Sequence, residues 1–150
     1  MGTRAAIDDF LAQRSLAVVG VSRSGQKFGN VAYRQLKAKG YHLTPVHPQA
    51  ETLEGDACAR NLSALRTPVG GVLVVVPPQQ AMEVVEQAAA AGIRRVWLQP
   101  GAESPEVIRL AEGRGLSVVA GECILMFAEP AGISHRAHRW LRGLLGRLPS

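Results

Sequence analysis

The amino-acid sequence predicts a Rossmann-like α/β fold, in which a doubly wound, mostly parallel five-stranded sheet carries helices on both faces. Apolar runs of strand length recur along the chain, and stretches of helical composition lie between them. These runs do not alternate with polar residues, which is typical of parallel strands that are buried on both faces. The predicted strands are residues 16–21, 41–46, 72–76, 96–99 and 116–120.

The predicted helices have recognisable starts and stops. Residues 30–39 and 79–91 have helical composition, and each stretch is followed by a glycine where a left-handed cap would end a helix. A serine and a proline at 104–105 supply a capping hydroxyl and a favourable first helical residue. Residues 4–14 place apolar side chains on one side at helical spacing. The stretch 48–61 has no periodicity and indicates a connecting loop.

Length and composition predict one domain. The chain has 150 residues, of which 47% are hydrophobic and 19% charged, a balance typical of a globular protein with a single core. We expect this domain to occupy residues 1–130. Residues 131–150 predict an amphipathic basic helix packed on the domain or on the second subunit of a homodimer. Transient contact with anionic lipid is the alternative for that helix.

The formal net charge of +5 is concentrated near the C-terminus. All 12 acidic residues lie at or before Glu129, together with 13 of the 17 lysines and arginines. The body of the chain is therefore nearly neutral, and it lacks the aromatic and basic stripe or the helix-turn-helix or finger pattern of a nucleic-acid-binding protein. No segment approaches the roughly 20 apolar residues of a membrane span. We expect neither nucleic-acid binding nor stable membrane association.

The N-terminus and the cysteines favour a cytoplasmic protein. Residues 1–10 lack the long apolar core of a secretory signal. Cys58 and Cys123 lie far apart, without the spacing of a disulfide framework or a zinc site. We therefore expect a reducing compartment and no metal site.

The glycine-rich loop, residues 20–29, is the strongest candidate for a binding site. It follows the first predicted strand, and ligands of open parallel sheets bind beyond the carboxyl ends of the strands. Its glycines let the backbone approach an anion, and the helix that follows offers free N–H groups. Ser22 and Ser24 supply hydroxyl groups, and Arg23 and Lys27 supply positive charge. The loop predicts a phosphate-binding site, with a simple glycine-rich turn as the alternative.

This loop matches the dinucleotide fingerprint only in part. G-x-G-x-x-G becomes G-x-S-x-x-G, with Ser22 at the second glycine. A NAD site also requires an acidic residue at the end of the second strand, where residues 45–48 read PVHP and no carboxylate appears before Glu51. NAD is therefore disfavoured, while a phosphorylated ribose could meet Arg23 or Lys27. An NADP-linked oxidoreductase remains the alternative function.

Two later strands end in proline. Residues 74–78 read VVVPP, and residues 96–101 read VWLQPG. Prolines fix the shape of a loop and remove backbone donors, which leaves an apolar wall for an adenine or a pantetheine arm. Simple termination of the strand is the alternative interpretation.

Five motifs, in order, resemble those of the small stand-alone CoA-binding proteins, which are related to the CoA-binding domain of the succinyl-CoA synthetase alpha subunit. The motifs are a Gly-x-Ser loop after the first strand, a Gly-Tyr-x-x-x-Pro-Val-x-Pro stretch, a Val-rich strand that ends at proline, a Val-Trp-Leu-Gln segment and a late Arg-Cys-like motif. The resemblance spans about residues 5–127. The matching segments are residues 20–27, 40–48, 72–77, 96–99 and 122–123.

The resemblance implies binding of coenzyme A or an acyl-CoA and no catalytic residue. Loop residues would meet the phosphates, and the ends of later strands would line the rest of the cleft. The implied loop residues are Gly20, Val21, Ser22, Arg23 and Lys27. The implied cleft residues are Pro45, His47, Pro48, Val76, Pro77, Trp97 and Gln99.

The chain departs from the family pattern at two positions. The family commonly has Asn at the site of His47 and often a basic residue at the site of Gln49, so one phosphate contact is expected to be missing. Cys123 follows the fifth strand and could form a mixed disulfide with the thiol of a bound CoA. An inert buried cysteine is the alternative for Cys123.

Overall fold

The computed structural model describes residues 3–128, and these residues form a five-stranded parallel sheet covered by helices on both faces. The predicted fold class is confirmed. The tail helix predicted for residues 131–150 lies outside the described residues. In chain order the elements are α1 (Arg4–Leu11), β1 (Ser15–Val19), α2 (Phe28–Ala38), β2 (His42–Val46), β3 (Thr52–Leu53), β4 (Asp56–Ala57), β5 (Gly71–Val74), α3 (Pro78–Ala90), β6 (Arg95–Leu98), α4 (Pro105–Gly113) and β7 (Ser117–Ala120).

The strand order of the main sheet is β2-β1-β5-β6-β7, and every neighbouring pair is parallel. The chain passes from the central strand β1 outward to β2 and then returns to the other side of β1 with β5. The direction of winding therefore reverses between β1 and β5. In doubly wound sheets this switch point opens a crevice at the carboxyl ends of the strands, and ligands bind there.

The two faces of the sheet carry separate hydrophobic cores. On one face α1 and α2 pack through buried side chains such as Phe10, Tyr33 and Leu36. On the other face α3 and α4 pack through side chains such as Val85 and Val107. Because both faces are covered, all four residues of β5 are buried. This double burial explains why the strands show no alternation of apolar and polar residues.

Glycines end the helices as predicted. Gly40 follows α2 with φ 95°, and Gly92 follows α3 with φ 78°, both in the left-handed region that favours glycine. The amide nitrogen of the residue after each glycine donates back to a carbonyl oxygen of the last helical turn, for example from Tyr41 to Leu36 at 3.2 Å. These caps turn the chain directly into the next strand.

The stretch 48–61, which the sequence indicates as a connecting loop, contains the small hairpin β3–β4. Its two-residue turn has positive φ at both Glu54 (50°) and Gly55 (82°), the pattern of a type I′ turn. Farther along, Ala59 pairs with the end of β2, since its amide nitrogen donates to the Pro45 carbonyl oxygen (3.0 Å) and its carbonyl oxygen accepts from the His47 amide nitrogen (2.9 Å). Paired segments of two residues are too short to show a strand periodicity, which is why the pattern misses them.

Asp56 joins this hairpin to α2. Its Oδ2 accepts hydrogen bonds from Tyr33 Oη and from Lys37 Nζ, the latter at 2.9 Å. Partial burial acts against ionisation of Asp56, but these two hydrogen bonds and the charge of Lys37 outweigh it and lower the pKa of the carboxyl. Burial, together with the bond to Asp56, raises the pKa of Tyr33. The pair therefore favours an ionised Asp56 beside a neutral Tyr33.

We expect Asp56→Asn to be less stable than the wild type near pH 7 by about 0.5–1.5 kcal/mol, the usual net value of such hydrogen bonds. Because folding lowers the pKa of Asp56, its contribution is complete above the unfolded pKa of about 3.9 and is lost as the pH falls through the lower folded value. The free energies of unfolding of the two proteins should therefore converge toward pH 3. Urea denaturation between pH 3 and pH 7 measures this difference.

The matched control is Glu112→Gln, which removes an exposed carboxylate of α4. It should follow the wild type across the same range. A loss of stability in Asp56→Asn that is equally large at pH 3 and pH 7 would contradict the assignment.

Candidate functional site

The glycine-rich loop is packed tightly against its neighbours at the crevice between β1 and β5. Gly20 has φ 124°, and a Cβ at this position would overlap the carbonyl oxygen of Val75 just after β5. A Cβ at Gly29, in the first turn of α2, would overlap the carbonyl oxygen of Gly20. Only glycine fits at either position. In the dinucleotide fingerprint the third glycine permits close packing of helix and strand, and here Gly29 fills that role, since a Cβ at Gly25 would meet nothing within 4 Å.

The two helices that begin at the crevice lack side-chain caps. The N-cap residues of α2 and α3 are Lys27 and Pro77, and neither provides a capping hydrogen bond. By contrast, Thr3 caps α1 through a hydroxyl at 3.1 Å from the Ala6 amide nitrogen, and Ser104 caps α4 in the same way. Free N–H groups at a helix start and the positive end of the helix dipole favour an anion.

Asn30 fixes the shape of the glycine-rich loop. Its side chain is 1% exposed, and its Oδ1 accepts hydrogen bonds from the amide nitrogen (3.1 Å) and the Oγ (2.8 Å) of Ser22. Its Nδ2 donates to the carbonyl oxygen of Ser22 at 2.9 Å and to Glu54 Oε2 at 2.7 Å. One buried amide thus holds the loop to α2 and to the β3–β4 hairpin.

Glu54 extends this network to the surface. Its carboxylate accepts from Asn30 and forms an ion pair with Arg34 Nη1 at 2.8 Å. Arg34 Nη1 also lies 3.2 Å from the carbonyl oxygen of Gly25, to which it donates. The hairpin therefore supports the glycine-rich loop at two points, through Asn30 at Ser22 and through Arg34 at Gly25.

The end of β2 meets the same loop. His47 Nδ1 accepts hydrogen bonds from the amide nitrogens of Gln49 and Ala50, both at 3.0 Å. The side-chain Oε1 of Gln49 in turn accepts from Arg23 Nη2 at 3.0 Å. Arg23 and His47, predicted from separate segments, are brought together through Gln49.

Comparison with known proteins identifies the family of the chain. A family model described as a CoA binding domain matches residues 14–129 of the chain. The protein belongs to this CoA-binding domain family. The identification confirms the resemblance drawn from the five sequence motifs.

Relatives of this CoA-binding domain occur alone and within larger chains. An uncharacterized protein of Bacillus subtilis, YneT, is 26% identical over 124 residues, and the match covers 81% of this chain and 91% of that protein. The structure of a conserved hypothetical protein from Pyrococcus furiosus shares 38% identity with a TM-score of 0.71, covering 75% of this chain and 97% of that one. The alpha subunit of the ADP-forming acetate–CoA ligase II of Pyrococcus furiosus is 21% identical over 129 residues, and the match covers 79% of this chain but 28% of that subunit.

The CoA-binding domain brings most of the sequence-predicted residues to the crevice or its rim. The backbone of Gly20, Val21 and Ser22 lies in the loop after β1, and Val76 and Pro77 lie in the loop after β5. Arg23, Lys27, Pro48 and Pro77 are exposed, His47 and Val76 are partly buried, and Val21 is buried.

Trp97 lies in the hydrophobic core, although the resemblance drawn from the sequence motifs implies that it lines the cleft. Its side chain is 0% exposed, its ring packs against Phe10 with centroids 5.3 Å apart, and its Nε1 donates to the Glu122 carbonyl oxygen at 2.8 Å. Pro45 is likewise buried within β2, and its carbonyl oxygen accepts from Ala59. Both side chains are therefore buried.

Gln99 is also largely buried, and its amide holds the turn that follows β7. Its Oε1 accepts from the Ile124 amide nitrogen at 3.1 Å, and its Nε2 donates to Cys123 Sγ at 3.0 Å. Cys123 itself is partly buried. The structure thus connects Gln99 and Cys123, two residues that the sequence analysis treats separately.

Sequence reasoning missed two residues of this site, Asn30 and Glu54, and it gave Gly29 no separate role within the glycine-rich loop. Asn30 and Glu54 carry no sequence signal of their own, because the residues they contact lie 8 and 24 positions away along the chain. Among residues 3–128, no three His, Cys, Asp or Glu side chains are grouped to hold a metal ion, and no helix is long and apolar enough to cross a membrane.

We expect Gly29→Ala to lower the free energy of unfolding by about 1–3 kcal/mol, the usual cost of overpacking. The added methyl group would push α2 away from the backbone of Gly20. Gly113→Ala is the matched control, because Gly113 is also helical and a Cβ there would meet nothing within 4 Å. It should be neutral or stabilising by up to about 1 kcal/mol. Urea denaturation followed by circular dichroism compares them, and equal stabilities of the two variants would contradict the packing argument.

Proposed function

We propose that this protein binds coenzyme A, or an acyl-CoA, in the crevice between β1 and β5. The observation that carries the proposal is the glycine-rich loop, held by Asn30 at the switch point beside two helix starts without side-chain caps. Such an arrangement suits the diphosphate of a nucleotide. Membership of a family described by CoA binding supports coenzyme A over other nucleotides.

Positive charge at the loop supports an anionic ligand. Arg23 and Lys27 are exposed on the loop itself, and Lys27 directly precedes the first turn of α2. Lysine and arginine form strong charge-assisted hydrogen bonds with phosphate oxygens. We propose that Lys27 and the α2 N-terminus bind the diphosphate.

The rim of the crevice suits the apolar part of the ligand. Val76 and Pro77 follow β5, and Pro48 follows β2. Ligand sites combine such apolar walls with a few polar groups that fix the orientation. We propose that the pantetheine arm lies along the wall formed by Val76 and Pro77.

We propose binding without chemical conversion of the ligand. A serine hydroxyl acts as a nucleophile when a neighbouring general base activates it. The Oγ of Ser22 contacts Asn30 Oδ1 and Ser24 Oγ, and neither group is a general base. The related ligase subunit is much longer, since this chain spans 28% of it. The proposal therefore concerns the binding step alone.

We also propose a cytoplasmic location. Cys58 and Cys123 are both free thiols in the structure. A reducing compartment maintains that state.

Isothermal titration calorimetry with CoA, dephospho-CoA, NADP and ATP tests the proposal. We expect CoA to bind most tightly. Lys27→Ala should weaken CoA binding about tenfold, as expected for loss of one charge-assisted contact. It should weaken dephospho-CoA binding by a similar factor, because both ligands contain the diphosphate. The control Arg109→Ala removes an exposed cation from α4 and should leave both affinities unchanged.

One result would reject CoA binding, and a second would reject the proposed contact between Lys27 and the diphosphate. Binding of NADP without binding of CoA would favour the oxidoreductase alternative, since the partial dinucleotide fingerprint would then describe the ligand correctly. Equal weakening by Lys27→Ala and Arg109→Ala would show that the loss reflects net charge and not contact with the loop.

A further inference from the structure

Arg23 connects the loops that follow two neighbouring strands. It lies after β1, and its Nη2 donates to Gln49 Oε1, which lies after β2, at 3.0 Å. Both side chains are exposed. Among the described residues no carboxylate forms an ion pair with Arg23. The guanidinium is therefore held in place across the sheet edge with its charge intact.

Gln49 is itself fixed by the turn after β2. The imidazole of His47 accepts from the amide nitrogens of Gln49 and Ala50 through Nδ1, in the way that an Asn or Asp side chain closes a turn. The amide nitrogen of His47 donates to the Ala59 carbonyl oxygen at 2.9 Å, which ties the turn to the sheet. A chain of hydrogen bonds thus runs from β2 through His47 and Gln49 to Arg23.

The hydrogen bond to Gln49 leaves the positive charge of Arg23 available to a ligand. A guanidinium has five N–H donors in a rigid fork. The Gln49 amide accepts from one nitrogen, so it orients the group without neutralising it. A carboxylate at position 49 would hold Arg23 equally well but would cancel its charge.

The position indicates which phosphate would be bound. In doubly wound nucleotide-binding folds, the ribose of the adenosine lies near the end of the second strand, and an arginine there accommodates a ribose phosphate. Gln49 holds Arg23 at this end of β2, whereas Lys27 lies at the start of α2. The two cations therefore serve different parts of the ligand.

We propose that Gln49 is a positioning residue that holds Arg23 for the ribose 3′-phosphate of coenzyme A, so that this pair distinguishes CoA from a nucleotide without that phosphate. The inference rests on the proposed function. It also accounts for the absence of a basic residue at position 49, because Arg23 from the neighbouring loop supplies the cation there.

Affinities for CoA and dephospho-CoA, measured by calorimetry, test the assignment. Arg23→Ala should weaken CoA binding about tenfold or more, the usual effect of losing an arginine–phosphate contact, and should change dephospho-CoA binding less than about threefold. Gln49→Ala should weaken CoA binding several-fold, and Gln49→Glu should weaken it further, since the new carboxylate would neutralise Arg23. Gln35→Ala, at an exposed glutamine of α2 outside the glycine-rich loop, is the matched control and should match the wild type.

A double-mutant cycle separates positioning from general stability. If Gln49 acts through Arg23, then Gln49→Ala should have almost no further effect on CoA affinity in an Arg23→Ala background. His47→Asn should preserve affinity, because the Asn side-chain oxygen can accept from the same amide nitrogens, whereas His47→Ala should resemble Gln49→Ala. Thermal unfolding of each variant verifies that it is folded.

The outcomes distinguish this inference from the proposed function. If the wild type fails to bind CoA, the proposed function is rejected. If the wild type binds CoA but Arg23→Ala weakens CoA and dephospho-CoA equally, Arg23 contacts the diphosphate and the inference alone is rejected. Additive effects of Arg23→Ala and Gln49→Ala would reject the positioning role of Gln49.

Discussion

The close backbone approach at the crevice is the constraint on which the rest of the site depends. Because Gly20 and Gly29 have no side chains, the end of β1 contacts both the Val75 carbonyl and the first turn of α2. This contact brings the uncapped start of α2 beside the glycine-rich loop. A Cβ at either glycine would separate these segments and move the free N–H groups away from the loop. The packing on which the proposed anion site depends thus follows from two positions that exclude every larger residue.

Hydrogen bonds from neutral amides then hold the loop in one shape. Asn30 is buried and forms hydrogen bonds with both Ser22 and Glu54, so it connects the hairpin β3–β4 to the loop. Gln49 acts similarly on Arg23 at the rim. Arg23 and Lys27 remain exposed, and among the described residues no carboxylate forms an ion pair with either of them. Because this framework is already ordered, a ligand would lose less of its binding free energy to the ordering of the protein.

Much of the fold followed from local patterns. Continuous apolar runs indicated strands buried on both faces, and glycines after the helical stretches indicated where α2 and α3 end. The glycine-rich loop was also recognisable, because its residue types and its position between a strand and a helix suit phosphate binding. The hairpin β3–β4 was missed, since its paired segments are two residues long. The resemblance implied Trp97 as a cleft residue, and in the structure its ring is buried and packs against Phe10 of α1.

The sequence by itself therefore determined the alternation of the five main strands with the helices, the position of the glycine-rich loop after β1, and the family. These features depend on residues that are close along the chain, where spacing and composition carry the information. Only the tertiary structure decided that Gly29 packs against Gly20, that Glu54 supports the loop through Asn30, and that Gln49 orients Arg23. Each of these contacts joins separate segments. The physical reason is that a contact across the sheet edge depends on how strands are ordered and how tightly helices pack, and no single stretch of sequence specifies either.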